Sequence, residues 1–177
     1  MIPNALTIAG IDPSGGAGIY ADLKAFSALG AYGTGVVAAL TAQNTRAVTG
    51  IQGVAPEFIR LQLDTLFDDV RIDTAKIGML GTAAIARAVA DGLAARVGPA
   101  KLRHLVVDPV MIAKSGDALL DRSAIDVLVE AILPLATVIT PNLPETGVLL
   151  DRRPPDDVRE MRAAAEKLRR LLGDDGR

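Results

Sequence analysis

The chain has 177 residues, half of them hydrophobic, a length that suits one domain with a substantial core. Its 19 basic and 21 acidic residues give a formal charge of −2, which provides no electrostatic basis for binding nucleic acid or an anionic membrane. Cysteine is absent and His104 is the one histidine, which excludes disulfides and thiolate zinc sites. No apolar run is long enough to span a bilayer. We therefore predict a cytoplasmic protein.

The chain opens with an apolar run, a glycine-rich turn and an amphipathic segment. We predict a buried strand over residues 5–10, a turn over residues 12–18 and a helix over residues 19–29. Backbone N–H groups of such a turn can face outward and hold a small polar ligand. The pattern Gly16-x-Gly18-x-x-Ala21 fits a relaxed dinucleotide fingerprint, but no acidic residue ends the second strand, and the Gly-Lys pair of a P-loop is absent.

Strands and helices alternate along the rest of the chain. Strands are predicted over residues 36–42, 75–77, 105–107 and 138–139, with an extended excursion over residues 48–54. Helices are predicted from Pro56, from Thr82 to Gly98-Pro99, and over residues 121–133, 145–150 and 158–172. Pro134 ends the third of these helices. The last helix has a repeating apolar pattern formed by Val158, Met161, Ala165, Leu168 and Leu172. This alternation predicts an α/β domain with a mostly parallel sheet and helices on both faces.

In such a sheet, ligands bind beyond the carboxyl ends of the strands. The residues that follow the predicted strands are Gly10, Asp12, Gln43, Asn44, Gly78, Met79, Asp108, Thr140, Asn142 and Glu145. Each also has a purely structural interpretation: Met79 can fill the core, Asn142 with Glu145 has the pattern of a capping box, and Asp22 can stabilise a helix dipole. Their shared position after strands favours a binding site.

Several short segments together carry a resemblance to a known family. They are residues 5–10, 12–18, 21–24, 42–45, 76–80, 108–111, 113–116 and 140–145, which include the runs DPSGGAG, AQNT, KIGML, DPVM, AKSG and TPNLPE. In this order they resemble the hydroxymethylpyrimidine/phosphomethylpyrimidine kinases of thiamine biosynthesis, which are ribokinase-like enzymes. The match extends across nearly the whole chain.

The resemblance implies transfer of the ATP γ-phosphate, with Mg²⁺, to 4-amino-5-hydroxymethyl-2-methylpyrimidine and then to its monophosphate. It implies pyrimidine contacts at Gly10, Asp22, Gln43, Met79 and Val110. It implies a magnesium site at Asp108 and Glu145, with nucleotide phosphate contacts at Asn142 and Thr140. It also implies a homodimer for a full-length enzyme.

The family pattern continues beyond the segments matched here, with a Lys-Gly-Gly strand and a Gly-Thr-Gly-Cys loop that supplies the activating residue. We therefore expect residues 1–177 to form one incomplete ribokinase-like domain, with its C-terminal part missing and the catalytic residues beyond Arg177, and to be inactive alone. Two other functions stay open. One is a non-catalytic pyrimidine-binding or vestigial product, and the other is pyridoxal kinase, which the Gln43-Asn44 and Gly78-Met79 contexts disfavour.

Overall fold

A computed structural model describes residues 1–98, 102–111, 120 and 122–172, and a six-stranded sheet forms its centre. The strands are β1 (Asn4–Ile11), β2 (Tyr32–Gln43), β3 (Val48–Gly53), β4 (Thr74–Ile77), β5 (His104–Val107) and β6 (Val138–Ile139). Their order across the sheet is β3-β2-β1-β4-β5-β6. The neighbouring strands run parallel except for β2 and β3, so the predicted mostly parallel sheet is confirmed.

Helices cover both faces of the central strand. The helices are α1 (Gly18–Ala28), α2 (Pro56–Asp69), α3 (Ala83–Ala94), α4 (Arg122–Val127), α5 (Leu143–Leu149) and α6 (Val158–Leu168). Because side chains alternate along β1, Leu6 and Ile8 enter the main core, which also holds residues of α2 and α3, whereas Thr7 contacts α1. In the part of the chain that the structure describes, no helix has the length and apolar character needed to cross a membrane.

Two predicted segments show local detail that the sequence did not indicate. The excursion over residues 48–54 is β3, an antiparallel edge strand. The segment predicted as a helix over residues 121–133 is helical from Arg122, but α4 is followed by a π-helical turn (Leu128–Ile132) and a 3₁₀ turn (Leu133–Leu135). Pro134 lies inside the 3₁₀ turn. Because proline has no N–H to donate to a carbonyl four residues earlier, the helix changes its hydrogen-bonding pattern at this point.

The helix ends also differ from the prediction in detail. Helix α3 begins after Thr82, whose side chain accepts a hydrogen bond from the Ile85 N–H, and ends at Ala94, before the predicted stop. Helix α6 buries Ala164 and Leu168, whereas Val158 and Ala165, predicted on the buried face, are exposed. Asp121, Pro99, the AKSG run and residues 173–177 lie outside the described residues.

A bulge in β2 sets the direction of its carboxyl end. Ala9 pairs with Val37 and Gly10 with Ala39, so Ala38 is skipped in the register between β1 and β2. Gln62 of α2 accepts a hydrogen bond from the Val37 N–H at 2.9 Å and donates one to the Val37 C=O at 3.1 Å. This side chain therefore satisfies both backbone groups beside the bulge.

Candidate functional site

A cavity of about 320 Å³ lies at the carboxyl ends of β1, β2, β4 and β5, beside the start of α1. All five residues predicted to contact the pyrimidine line it: Gly10, Asp22, Gln43, Met79 and Val110. Asp108, predicted to bind magnesium, lines it as well, whereas Thr140, Asn142 and Glu145 do not. The topology thus brings together residues up to one hundred positions apart in the sequence, as the position after each strand predicts.

A second cavity, of about 440 Å³, lies between β6, α5 and α6. Its lining is mostly apolar and includes Ile139, Leu143, Met161 and Leu168. A small-molecule site normally combines an apolar wall with a few convergent polar groups. The smaller cavity has that combination, since carboxylate, carboxamide and ammonium groups meet in it, and it is the candidate site.

Asp12 organises the glycine-rich turn. Its carboxylate accepts hydrogen bonds from the N–H groups of Ser14 (2.8 Å), Gly16 (3.1 Å) and Ala17 (3.0 Å) and from the Ser14 hydroxyl (2.8 Å). Burial alone would raise the pKa of Asp12, but these hydrogen bonds outweigh it and hold the pKa below its ordinary value. The turn lines the cavity, yet these N–H groups are paired with Asp12, so the expectation that they face outward to a ligand is wrong.

Two glycines allow the turn and the strand end to approach closely. Gly18 has a φ of +57°, and a Cβ there would lie 2.2 Å from the Gly10 carbonyl oxygen. A Cβ at Gly10 would lie 2.8 Å from Cε of Met79. Any larger residue at position 18 would clash with backbone, whereas one at position 10 would push the flexible tip of Met79.

Asp22 is held in place by two partners that face it from the sheet. The buried Thr7 hydroxyl donates to Asp22 Oδ2 at 2.6 Å, and Lys76 Nζ lies 3.0 Å from Oδ2 and 3.2 Å from Oδ1. Oδ2 therefore has two internal partners, while Oδ1 has the longer contact alone. Because Asp22 is half-buried and lines the cavity, Oδ1 remains available to a ligand.

Lys76 was not predicted as a site residue. It lies within the short strand β4, and its side chain is 21% exposed at the cavity. Its Nζ also lies 3.8 Å from Asp108 Oδ2, so the ammonium stands between two carboxylates. A lysine between the apolar Ala75 and Ile77 of a short strand is the sequence signal that could have identified it.

Gln43 is the last residue of β2 and is half-buried. Its Oε1 lies 3.2 Å from the Thr41 hydroxyl, which is closer, at 2.8 Å, to the Ile11 carbonyl oxygen. These contacts fix one end of the carboxamide near β1. Since Val48 also lines this part of the cavity, the amide borders both an apolar surface and a polar one.

The predicted phosphate and metal residues form a second group beside the cavity. The Thr140 hydroxyl lies 3.4 Å from Asp108 Oδ1. Asn142 and Glu145 form a complete capping box, in which Asn142 Oδ1 accepts from the Glu145 N–H and Glu145 Oε2 accepts from the Asn142 N–H, both at 2.9 Å. The structural interpretation of this pair is therefore confirmed. Asp108 connects the group to the cavity.

Glu145 is the most buried carboxylate of the second group, with 5% of its surface exposed. Burial raises its pKa, and the nearby charge of Asp108 adds to the increase, although hydrogen bonds from Asn142 and Met111 oppose it. Within the described residues, no three or more His, Cys, Asp or Glu side chains are grouped to hold a metal ion. Asp108 and Glu145 nevertheless offer the oxygen donors that magnesium prefers, and magnesium commonly keeps several water ligands.

The chain matches known proteins over most of its length. The model of a family described as phosphomethylpyrimidine kinase matches residues 12–175. The chain is 57% identical over 148 residues to the hydroxymethylpyrimidine/phosphomethylpyrimidine kinase of Escherichia coli K12, an alignment that covers 84% of this chain and 54% of that protein. The chain thus spans about half the length of this relative.

Solved structures with the same fold include two kinds of vitamin kinase. A phosphomethylpyrimidine kinase from Clostridium difficile 630 superposes with a TM-score of 0.87 at 39% identity, covering 97% of this chain and 72% of that one. A pyridoxal kinase from Staphylococcus aureus, solved in complex with ADP, superposes with a TM-score of 0.83 at 31% identity, covering 98% of this chain and 61% of that one.

Proposed function

This chain belongs to the phosphomethylpyrimidine kinase family, and we propose that it forms the substrate-binding part of an enzyme that phosphorylates 4-amino-5-hydroxymethyl-2-methylpyrimidine and its monophosphate. The phosphate donor in this proposal is ATP. One observation carries the proposal: the five residues that the resemblance assigns to the pyrimidine all line one cavity.

The chemistry of the cavity suits an aminopyrimidine. The exocyclic amine of the ring is a donor that Asp22 Oδ1 can accept, since Oδ2 is already bonded to Thr7 and Lys76. The ring nitrogens are acceptors that the Gln43 amide can reach as a donor. Met79 and Val110 supply apolar contact for the ring. Hydrogen bonds from these two fixed groups, Asp22 and Gln43, give specificity, because a ligand without matching donors and acceptors would leave Asp22 and Gln43 unpaired.

The second group of residues supports a nucleotide and magnesium beside the pyrimidine. In this proposal Asp108 and Glu145 hold magnesium, and Thr140 and Asn142 contact nucleotide phosphates. Glu145 already accepts hydrogen bonds from the Asn142 and Met111 N–H groups, so its contact with the ion would run partly through water. Magnesium, when bound, neutralises charge that develops on the phosphate oxygens during transfer. Asp108 lines the cavity, so in this proposal the ion lies beside the bound pyrimidine.

Pyridoxal kinase is the second candidate, because the Staphylococcus aureus enzyme shares the fold at 31% identity. The 57% identity to the Escherichia coli pyrimidine kinase supports the pyrimidine as the preferred substrate. A homodimer, which the family resemblance implies, remains a prediction that light scattering can test.

The decisive assay compares ATP-dependent phosphorylation of the hydroxymethylpyrimidine and of pyridoxal by a full-length version of the protein, because residues 1–177 are expected to be inactive alone. We expect a higher kcat/KM for the pyrimidine, and we expect Gln43→Leu to lower kcat/KM for it while thermal unfolding stays near wild type. A higher kcat/KM for pyridoxal would contradict the proposed substrate. Binding of the pyrimidine by that full-length version without any turnover would favour the non-catalytic alternative.

A further inference from the structure

The wall of the cavity carries more negative than positive side chains. Three carboxylates line it, those of Asp12, Asp22 and Asp108, and Lys76 is the one basic residue among the described residues of its wall. An anionic ligand in this space would meet repulsion from the carboxylates unless a cation lies beside its charge. Lys76 therefore decides whether the cavity can accept such a ligand.

The ammonium of Lys76 has unused capacity for a hydrogen bond. Its contacts with Asp22, at 3.0 and 3.2 Å, are hydrogen bonds, whereas its 3.8 Å separation from Asp108 is an ion pair without one. An ammonium carries three donors. The third N–H of Lys76 can therefore donate to a further acceptor oxygen on the side that faces Asp108. This position lies between Asp22, which contacts the ring in the proposal, and the residues proposed to bind phosphate.

The backbone donors of the glycine-rich turn and the nearby Lys24 are already paired. The N–H groups of Ser14, Gly16 and Ala17 bind Asp12, so the turn cannot offer them to a phosphate without breaking its own structure. Lys24 donates to the Gly15 carbonyl at 2.7 Å and is not part of the cavity wall. A phosphate in the cavity has Lys76 as its nearest suitable side-chain partner in the described wall.

We propose that Lys76 binds the phosphate group of the phosphorylated pyrimidine and so determines acceptance of the second substrate. This inference rests on the proposed function and adds a residue role to it. The alcohol substrate is neutral and has no group that requires the ammonium. The monophosphate carries charge, and its phosphate oxygens form charge-assisted hydrogen bonds with an ammonium. Lys76 is therefore a specificity-determining residue for the step from the alcohol to the monophosphate.

Titration calorimetry without ATP tests the inference by comparing Kd for the alcohol and for the monophosphate. We expect Lys76→Met to raise the ratio of the monophosphate Kd to the alcohol Kd by about tenfold or more, the effect of one lost charge-assisted hydrogen bond. Lys76→Arg, which keeps the charge, should raise the ratio less. Lys24→Met is the matched control and should leave the ratio unchanged, since it removes a lysine of α1 that contacts the glycine-rich turn but lies outside the cavity wall.

Equal weakening of both ligands by Lys76→Met would overturn the inference, because it would limit Lys76 to orienting Asp22. A wild-type protein that binds the alcohol but not the monophosphate would overturn the inference alone, whereas one that binds neither would overturn the proposed function as well. If Lys76→Met does not fold, a crystal structure of the wild-type protein with the monophosphate replaces it. A phosphate oxygen within hydrogen-bond distance of Lys76 Nζ supports the inference, and a phosphate held elsewhere refutes it.

Discussion

Replacing Asp12 by alanine tests whether one carboxylate holds the glycine-rich turn against the sheet. The variant removes the acceptor of three backbone N–H groups and the Ser14 hydroxyl. Ser14 can turn its hydroxyl to water, so the three N–H groups determine the cost. At roughly 1 kcal/mol for each, Asp12→Ala should lower the free energy of unfolding by about 2 to 4 kcal/mol. That is a large part of the stability of a typical domain.

The pH dependence of this effect has a definite sign. The folded-state pKa of Asp12 is lowered, despite the opposing effect of burial, so its stabilisation is present above the ordinary value of 3.8. The stabilisation is lost as the pH falls through the lowered folded value. The difference between wild type and Asp12→Ala should therefore be largest near neutral pH and should shrink in acid.

Urea denaturation between pH 7 and pH 2 measures this difference directly. Asp91→Ala, which removes an exposed carboxylate of α3, is the control and should change the free energy of unfolding by less than about 0.5 kcal/mol. A similarly small change for Asp12→Ala at neutral pH would refute the reasoning, because water would then replace the carboxylate at no cost. So would a large difference that persists unchanged at pH 2.

Three other predictions concern the ring, the metal and the turn. Gln43→Ala should weaken pyrimidine binding by about 1 to 3 kcal/mol in calorimetry with little change in thermal unfolding, and unchanged affinity would remove Gln43 from the site. In a full-length version of the protein, Glu145→Gln should lower turnover and raise the magnesium requirement while sparing pyrimidine affinity; lost stability with normal magnesium dependence would leave only the capping role. Gly18→Ala should lower the free energy of unfolding by more than Gly30→Ala, since both glycines have positive φ but only Gly18 faces a backbone atom, and equal losses would contradict the close approach.

The sequence predicted the parts of the fold that depend on local pattern. Short, mostly apolar runs predicted β1, β4 and β5, and the rule that ligands bind beyond parallel strands predicted Gly10, Gln43 and Met79 at one edge, where the structure has its cavity. The family resemblance added Asp22 and Val110, whose role no strand end indicates. The pattern Asn142-x-x-Glu145 predicted the capping box, because both partners are local in sequence.

Features that depend on three-dimensional packing could not be predicted in this way. The apolar residues of α6 suggested a buried face that included Val158, but the position of the helix against its neighbours buries Ala164 and Leu168 instead. A lysine within a short strand is visible in the sequence, but its pairing with Asp22, which is fifty-four residues away, is not. The turn at Asp12 was misjudged because a carboxylate just before glycines can accept their N–H groups and use them internally.

A crystal structure of the protein with 4-amino-5-hydroxymethyl-2-methylpyrimidine tests the central claim most directly. The account predicts the ring in the 320 Å³ cavity, with its polar edge at Asp22 and Gln43 and its ring against Met79 and Val110. A ring bound in the apolar cavity between β6 and α6, or one that lies away from Gln43, would contradict the assignment of the site.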